Sequence, residues 1–263
     1  MHTLKTLAAG ALAGLLAAPV AHAASFWDGF DSNYYNGSLW TASSGKNGDP
    51  FGCTFYPEMV SAATGGQLAL KLHNGACAEL KTKSKYQYGT VQTRLRLSNI
   101  PGTVASLFTY DSWHITPGNP WTEIDIEILP SFGNVLNTNV IYQASTSAQY
   151  RSWEKRIDLG QHGINPMNGA IQVGFDWTTD KISWFVYNSA SKKVYVRTVS
   201  KSSSTNCDCI PAEYWPSRPA PIFANYWHGN NYNYNYNSVN YFPKNYSGAA
   251  GQATYDFIQF IDY

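Results

Sequence analysis

Three acidic residues occupy alternate positions of one short segment, PWTEIDIEILP, which covers residues 120–130. Glu123, Asp125 and Glu127 are separated from one another by single isoleucines. On a β-strand alternate side chains share a face, so the acids would point one way and the isoleucines the other way, into a core. Three like charges so close together repel one another, and we expect the pKa of at least one acid to rise.

Such a set of acids suits the hydrolysis of a glycosidic bond. A retaining glycosidase needs two carboxyl groups about 5–5.5 Å apart, one as nucleophile and one as general acid and base. Glu123 and Glu127 start roughly 13 Å apart at Cα, and their long side chains can lean towards each other. Asp125 would hydrogen-bond one of them, and its charge would raise the pKa of the acid. A structural alternative also fits the pattern, in which Arg94, Arg96 or a lysine of a neighbouring strand pairs with the acids.

Strict alternation of apolar and polar residues after residue 65 predicts the strands that would position these acids. Gly, Pro, Asn and Ser cluster between the alternating segments, as turns require. No sustained helical periodicity follows residue 23. Many short strands without helices predict an all-β fold, an antiparallel two-sheet β-sandwich or jelly roll. The predicted strands cover residues 67–72, 88–97, 104–110, 122–129, 170–177, 181–187, 192–199, 222–227 and 254–263.

The first 23 residues have the pattern of a secretory signal peptide. This segment has an early lysine, Lys5, an apolar stretch from Leu7 to Val20, and a small-x-small ending that closes at Ala23. Cleavage after Ala23 would leave one domain, residues 24–263, of a size that is ordinary for a β-sandwich. We therefore expect a secreted protein, either extracellular or periplasmic. The alternative is an uncleaved amphipathic N-terminus.

The charge balance excludes two classes of partner. The chain has 18 basic and 17 acidic residues, so there is no basic excess that would attract nucleic acid or an anionic membrane. After the N-terminal segment, no stretch reaches the roughly 18 apolar residues that a membrane span needs. We expect a monomer that binds neither nucleic acid nor membrane.

Aromatic residues make up 15% of the chain, and such rings suit either stacking on sugars or core packing. One low-complexity segment, NNYNYNYNSVNYF, covers residues 230–242. It would form either an aromatic loop beside a saccharide groove or a polar loop whose tyrosines pack locally. We favour the second interpretation.

Four cysteines downstream of an export signal favour disulfides over metal ligands. Cys53 and Cys77 enclose a loop of about 25 residues, whose closure would contribute roughly 3.5 kcal/mol to stability. Cys207 and Cys209 lie in a CDC sequence. For these two, free thiols, partners outside the chain and a strained redox-labile bond all remain open.

The sequence resembles glycoside hydrolase family 16, and within it the bacterial lichenases, which are β-1,3-1,4-glucanases. The family signature Glu-x-Asp-x-Glu matches WTEIDIE, without the extra residue that laminarinase, agarase and carrageenase types usually carry before the last Glu. The resemblance covers most of the mature chain and supports a disulfide between Cys53 and Cys77. Further matching segments follow in the family's order: SFWDGF, FGCTF, CAEL, YQYGTVQTRLRLSNIPGTVASLFTYD, GFDW, IFANYWHG and TYDFIQF.

The resemblance implies that Glu123 is the nucleophile, Asp125 an assisting aspartate, and Glu127 the general acid and base. It implies a polysaccharide substrate, a concanavalin-like jelly roll and no cofactor for catalysis. Asp256 matches a family aspartate at a structural calcium on the convex side, with an ordinary strand aspartate as the alternative. The implied sugar groove has aromatic rings for stacking and polar groups for hydroxyls. Its residues are Trp121, Phe108, Tyr110, Asn139, Asn225, Trp227 and Glu79.

The expected function is that of a secreted, endo-acting, retaining β-glucan hydrolase, most like a β-1,3-1,4-glucanase. Thr122, Pro130, Lys81, Gly52 and Ile171 depart from the family pattern, and several of these positions fall near the groove. The exact polysaccharide therefore stays open. The alternatives are a transglycosylase, a depolymerase of a bacterial exopolysaccharide or xyloglucan, and a non-catalytic lectin-like module. Three mutually repelling carboxylates argue against a module that only binds.

Overall fold

The structure is a computed structural model that describes residues 24–31, 34–48, 50–229 and 246–263, and the backbone of residues 235–236 and 239–240. The predicted signal peptide, residues 1–23, lies outside the described residues. So do the side chains of segment 230–242, and both interpretations stay predictions. In the described part of the chain, no helix is long and apolar enough to cross a membrane.

The regular structure is almost entirely β-strand, as the alternation predicts. Short 3-10 helices occur at Pro57–Met59, Pro130–Phe132, Leu159–His162 and Ala212–Tyr214. The strands are β1 (Phe26–Asp28), β2 (Trp40–Ala42), β3 (Gly45–Lys46), β4 (Thr54–Phe55), β5 (Val60–Ala63), β6 (Gln67–Leu72), β7 (Ala76–Thr82), β8 (Gly89–Leu97), β9 (Thr103–Asp111), β10 (Trp121–Ile128), β11 (Val135–Gln143), β12 (Arg151–Ser152), β13 (Lys155–Asp158), β14 (Ile171–Trp177), β15 (Lys181–Tyr187), β16 (Lys193–Lys201), β17 (Cys209–Ile210), β18 (Ile222–His228), β19 (Asn235–Tyr236), β20 (Val239–Asn240) and β21 (Gly251–Asp262).

Within the described residues, the strands form two large sheets, which we call sheet A and sheet B. Sheet A has nine strands in the order β17-β16-β15-β14-β8-β21-β6-β5, with β1 paired to β21. Sheet B has ten strands in the order β12-β11-β10-β9-β18-β7-β4-β3, with β13 paired to β11 and β2 to β7. The pairs β16–β17 and β4–β7 are parallel, and the other pairs are antiparallel. The prediction of a two-sheet jelly roll is confirmed.

The core between the sheets holds β10 in register. Ile124, Ile126 and Ile128 are fully buried in the main core cluster, on the face that the alternation predicts. Burial of one such side chain contributes roughly 1.5–3 kcal/mol. Trp184 of sheet A lies in the same cluster, and its indole Nε1 donates a 2.8 Å hydrogen bond to the backbone carbonyl of Asp125. Sheet A therefore fixes the strand that carries the three acids.

Sequence periodicity located most of the long strands. The bounds of β6 and β15 match the prediction, and the other predicted strands agree within a few residues. Alternation did not predict β7 or β11. Both strands are buried on their two faces, and β11 carries buried polar residues at positions 137–139. A buried polar face removes the apolar-polar contrast on which the periodicity argument depends.

Two disulfides are present among the described residues. Cys53 is bonded to Cys77, which confirms the predicted bridge. Cys207 and Cys209 are bonded to each other, which agrees with one of the three alternatives. The residue between them, Asp208, accepts two hydrogen bonds from the guanidinium of Arg197 in β16, at 2.9 and 3.0 Å.

Arg197 connects sheet A to sheet B. Its side chain is almost completely buried, and it donates to the backbone carbonyl and the hydroxyl of Thr138 in β11, at 3.0 and 2.9 Å. A buried guanidinium is tolerated when it is both paired and hydrogen-bonded. Asp208 supplies the ion pair and Thr138 supplies the acceptors, so the edge of sheet B is tied to sheet A through one side chain.

Asp256 of β21, which was expected to match a calcium ligand, has protein partners instead. Its carboxylate accepts hydrogen bonds from the guanidinium of Arg94 and the amide of Gln67. In the described part of the chain, no group of three or more His, Cys, Asp or Glu residues could hold a metal ion. A guanidinium beside the carboxylate opposes the binding of a divalent cation there, and structural calcium stays a prediction. Arg94 also pairs here in sheet A, rather than with the acids of β10.

Removal of the Cys53–Cys77 bond should destabilise the fold. We expect the variant Cys53→Ser/Cys77→Ser to lose about 3 kcal/mol of unfolding free energy, because the bridge restricts the unfolded chain. Urea denaturation of the variant and the parent protein measures this difference. Peptide mapping without reductant checks the bond itself, and recovery of both cysteines as free thiols from the mature protein would contradict it.

Candidate active site

A cleft of about 1180 Å³ lies on the solvent side of sheet B. Glu123, Asp125 and Glu127 line this cleft together. The structure therefore brings the three acids into one site with every predicted groove residue. Those residues are Trp121, Phe108, Tyr110, Asn139, Asn225, Trp227 and Glu79.

The pairing of β10 with β9 and β11 arranges the cleft side chains in rows across the strands. Neither pairing contains a register shift, so the alternation continues through the whole acidic segment. All three acids consequently stay on one face. The rows place Glu123 between Tyr110 and Ile141, Asp125 between Phe108 and Asn139, and Glu127 between Ser106 and Asn137.

Asp125 is the most deeply buried of the three acids, with 6% of its surface exposed. Burial, followed by the charges of Glu123 and Glu127, raises the pKa of Asp125 well above its usual value. A protonated Asp125 donates a hydrogen bond to Glu123, which lowers the pKa of Glu123. Asp125 therefore acts as a donor that orients Glu123, instead of adding a third negative charge.

Glu123 has two hydrogen-bond donors that favour its charged form. Burial raises the pKa of Glu123 to about 7, whereas the hydrogen bonds from Trp121 and Asp125 lower it. Trp121 Nε1 donates to Glu123 Oε2 at 2.7 Å. A carboxylate that is held by two donors and faces an open cleft has the properties of a nucleophile.

Glu127 has fewer donors than Glu123. Burial raises the pKa of Glu127 to about 7, and the hydrogen bond from Asn137 lowers it. Asn137 Nδ2 donates to Glu127 Oε2 at 2.8 Å. The pKa of both glutamates is about 7, and their donors distinguish them: Glu123 has two, from Trp121 and Asp125, whereas Glu127 has one and suits the role of a general acid.

Aromatic rings surround the Glu123 end of the cleft. Trp121 makes edge-to-face contacts with Tyr110 and Trp113, at centroid distances of 6.0 and 6.4 Å. Tyr150 contacts the other side of Trp121 at 5.4 Å. Such rings offer apolar faces to sugar rings while the hydrogen bond from Trp121 to Glu123 keeps the indole in place.

A polar row extends from the acids to β7. Glu79 is buried and accepts hydrogen bonds from Ser43 at 2.7 Å and from Asn225 at 3.2 Å. Ser106, which lies beside Glu127, donates to the amide oxygen of Asn225. Burial raises the pKa of Glu79 above its usual value. This row offers fixed polar groups to sugar hydroxyls.

Sequence reasoning missed several residues of the site. Asn137 lies two positions before Asn139 in VLNTNVIYQ, so recognition of β11 would have placed both amides on the cleft face. Trp113 and Tyr150 come from the β9–β10 and β11–β12 loops, where periodicity gives no information. Phe223, which stacks on Phe108 at 5.0 Å, lies two positions before Asn225 in β18, so the alternation of that strand could have placed it on the cleft face.

Comparison with known proteins agrees with this geometry. The model of the family "Glycosyl hydrolases family 16" matches residues 47–257. The β-glucanase of Bacillus subtilis (strain 168) is 31% identical over 211 residues, which cover 78% of this chain and 75% of that protein. The solved structure of Bacillus licheniformis β-glucanase has a TM-score of 0.72 at 26% identity, over 92% of this chain and 99% of that chain. A β-1,3-1,4-glucanase (lichenase) derived from a mouse hindgut metagenome has a TM-score of 0.70 at 26% identity, over 91% and 100%.

A jelly roll whose cleft strand carries this acidic segment is the scaffold of a glycoside hydrolase. The chain belongs to glycosyl hydrolase family 16. A retaining mechanism is characteristic of that family, and its members need no cofactor for catalysis.

The raised pKa of Asp125 predicts a pH-dependent cost to stability. Below about pH 4 both the native and the unfolded protein hold the proton, whereas at higher pH the unfolded chain releases it first. Unfolding is therefore favoured as the pH rises above about 4 and towards the native pKa of Asp125. Asp125→Asn still offers a donor to Glu123 but does not titrate. We expect its melting temperature to equal that of the parent at pH 4 and to exceed it by a few degrees at pH 8, as measured by calorimetry. A difference that did not change with pH would contradict the assignment, and exposed Asp31→Asn is the control.

Proposed function

We propose that this protein is an endo-acting β-glucan hydrolase in which Glu123 is the nucleophile and Glu127 is the general acid and base. One observation carries the proposal: two glutamates share the face of one strand, with different donors, on either side of a buried aspartate. Asp125 keeps its proton and orients Glu123. A module that only binds sugars has no use for this buried acidic set.

The reaction follows from these positions. Glu127 donates its proton to the glycosidic oxygen while the carboxylate of Glu123 attacks the anomeric carbon, and the bond to the leaving sugar breaks. The glycosyl ester removes the negative charge of Glu123, so the pKa of Glu127 falls and its carboxylate can act as base. Water then attacks the anomeric carbon and gives its proton to Glu127, and the bond from that carbon to Glu123 breaks, which releases Glu123 as a carboxylate.

The cleft supports a polymeric substrate. Its volume of about 1180 Å³ exceeds the ~300–1,000 Å³ that is usual for small-molecule sites. Trp121, Trp227 and Phe108 offer rings to the sugars, and the row from Glu79 to Ser106 offers hydrogen bonds. Because related proteins are named β-glucanase and lichenase, we propose a mixed-linkage β-1,3-1,4-glucan as the substrate.

We also propose that the protein is exported, works as a monomer and carries no nucleic-acid or membrane partner. The signal-peptide pattern of residues 1–23 supports export, as do the two disulfides. A polysaccharide too large to enter a cell has to be cut outside the cytoplasm. Residues 24–263 would then be the mature catalytic domain.

Loss of either glutamate should abolish hydrolysis. We expect Glu123→Gln and Glu127→Gln each to lower kcat on mixed-linkage β-glucan by about 10³-fold or more, because each removes a group that acts on the reacting bond. Asp125→Asn should have a smaller effect, since the amide still donates to Glu123. Release of reducing ends measures the rates, with laminarin and xyloglucan as comparison substrates. The exposed Glu58→Gln is a matched control, and full activity of Glu127→Gln would refute the assignment of the acid.

The anomeric configuration of the first product tests the double displacement. If the two glutamates lean to within about 5–5.5 Å, no room remains for a water molecule between Glu123 and the anomeric carbon. We therefore expect β-linked glucan to give the β-anomer first. Proton NMR in the first minutes of the reaction follows the two anomers. An initial α-anomer would mean inversion and would rule out Glu123 as a nucleophile.

A further inference from the structure

Two opposite charges lie beside Glu127 on the edge of sheet B, and the mechanism above uses neither. Arg156 of β13 stands opposite Asn137 of β11, and Asn137 in turn stands opposite Glu127 of β10. Glu154 immediately precedes β13, and its Oε1 lies 3.7 Å from Arg156 Nε. Glu127, Asn137 and Arg156 therefore form one row across three strands, with Glu154 beside Arg156. Asn137 is hydrogen-bonded to Glu127.

The pair is held in place and sheltered from solvent. Only 18% of the Glu154 side chain and 26% of the Arg156 side chain are exposed. The Arg156 guanidinium lies 3.8 Å from the centroid of the Phe132 ring, which belongs to the short helix that follows β10. Partial burial reduces the screening that makes exposed ion pairs weak. The two charges are therefore placed to act on a neighbouring carboxyl group.

One oxygen of the Glu154 carboxylate has no hydrogen-bond partner among the described residues. Glu154 Oε1 and Asn137 Oδ1 are both buried, and neither accepts a hydrogen bond from the described residues. The ion pair with Arg156 is also long, at 3.7 Å. Glu154 and Arg156 thus each act on Glu127, with effects of opposite sign.

Glu154 and Arg156 are the charged residues outside β10 that act on Glu127. On its own strand, Glu127 shares a face with Asp125 and Glu123. The neighbouring strands place uncharged residues directly beside it, Ser106 on β9 and Asn137 on β11. After burial and the Asn137 hydrogen bond, the charge of Glu154 raises the pKa of Glu127, and the charge of Arg156 lowers it. The charge of Glu154 also raises the pKa of Asp125.

We propose that Glu154 and Arg156 are a pair of positioning residues for Glu127: the Glu154 carboxylate keeps the proton on Glu127, the Arg156 guanidinium opposes it, and Asn137 fixes the Glu127 carboxyl group beside them. The inference rests on the proposed role of Glu127 as the general acid. Two residues at the edge of sheet B would thereby influence the pH at which Glu127 gives up its proton, although neither residue lines the cleft.

The pH dependence of kcat/KM on mixed-linkage β-glucan tests the pair, because its alkaline limb reports the general acid of the free enzyme. In Glu154→Gln we expect this limb to move to lower pH by about 0.5–1 unit, since a charge that favours the proton is lost. In Arg156→Gln we expect a shift of similar size to higher pH. The double variant should return close to the parent profile, and Arg156→Lys, which keeps the charge, should behave like the parent.

Two controls separate charge from local disturbance. Lys155→Gln removes a positive charge from the same strand, at the position opposite Thr138 on the other face of the sheet. Glu58→Gln removes an exposed negative charge far from β13 in sequence. Neither control should move the alkaline limb. A merely structural role of the pair would lower activity in both single variants without shifts of opposite sign.

A substrate with an activated aryl leaving group distinguishes a wrong role for Glu127 from a wrong role for Glu154 and Arg156. Such a leaving group departs without protonation, so the alkaline limb of the parent enzyme should flatten if Glu127 is the general acid. A limb that persists on the aryl substrate would refute the proposed role of Glu127. A limb that flattens there, but stays unmoved on β-glucan in both single variants, would overturn the pair while leaving the proposed function intact.

Discussion

The constraint on which this structure depends is the placement of three carboxyl groups on one strand, within reach of one another and largely out of water. Burial and mutual repulsion both oppose ionisation of such a set. The site resolves the conflict by giving the acids different partners. Asp125 keeps its proton and donates a hydrogen bond to Glu123, Trp121 donates a second one, and Glu127 receives a single amide hydrogen bond. Three chemically similar groups thereby acquire three different roles.

The two-sheet fold supplies the rigidity that these short hydrogen bonds require. Sheet A reaches through the core to hold the strands of sheet B, by the bond from Trp184 to the Asp125 carbonyl and by the bonds from Arg197 to Thr138. Groups that are already oriented need little rearrangement when charge develops in a transition state. The acids belong to a strand and not to a loop, which suits a reaction that tolerates only small errors in distance.

Sequence reasoning succeeded where a local pattern determines the outcome. The alternation of isoleucine and acid in β10 gave the strand, its two faces and the rise in pKa. It failed where the determinant is distant in the chain. Asn137 and Glu154 affect Glu127 only because β11 and β13 pair beside β10, and no periodicity links those segments. The partners of Asp256 were missed for a similar reason, because Arg94 and Gln67 lie far from it in sequence and meet it only in sheet A.

The unbroken register on both sides of β10 has a consequence for how such a protein can diversify. Insertion of one residue within the acidic segment would turn the acids beyond it towards the core and the isoleucines towards solvent, unless a β-bulge took up the extra residue. Substitution at a cleft position such as Ile141 or Lys81 changes the surface that meets the polymer and leaves the core packing almost untouched. Point substitutions in the cleft and changes in loop length can therefore alter the surface offered to a polysaccharide while the spacing of the acids stays the same.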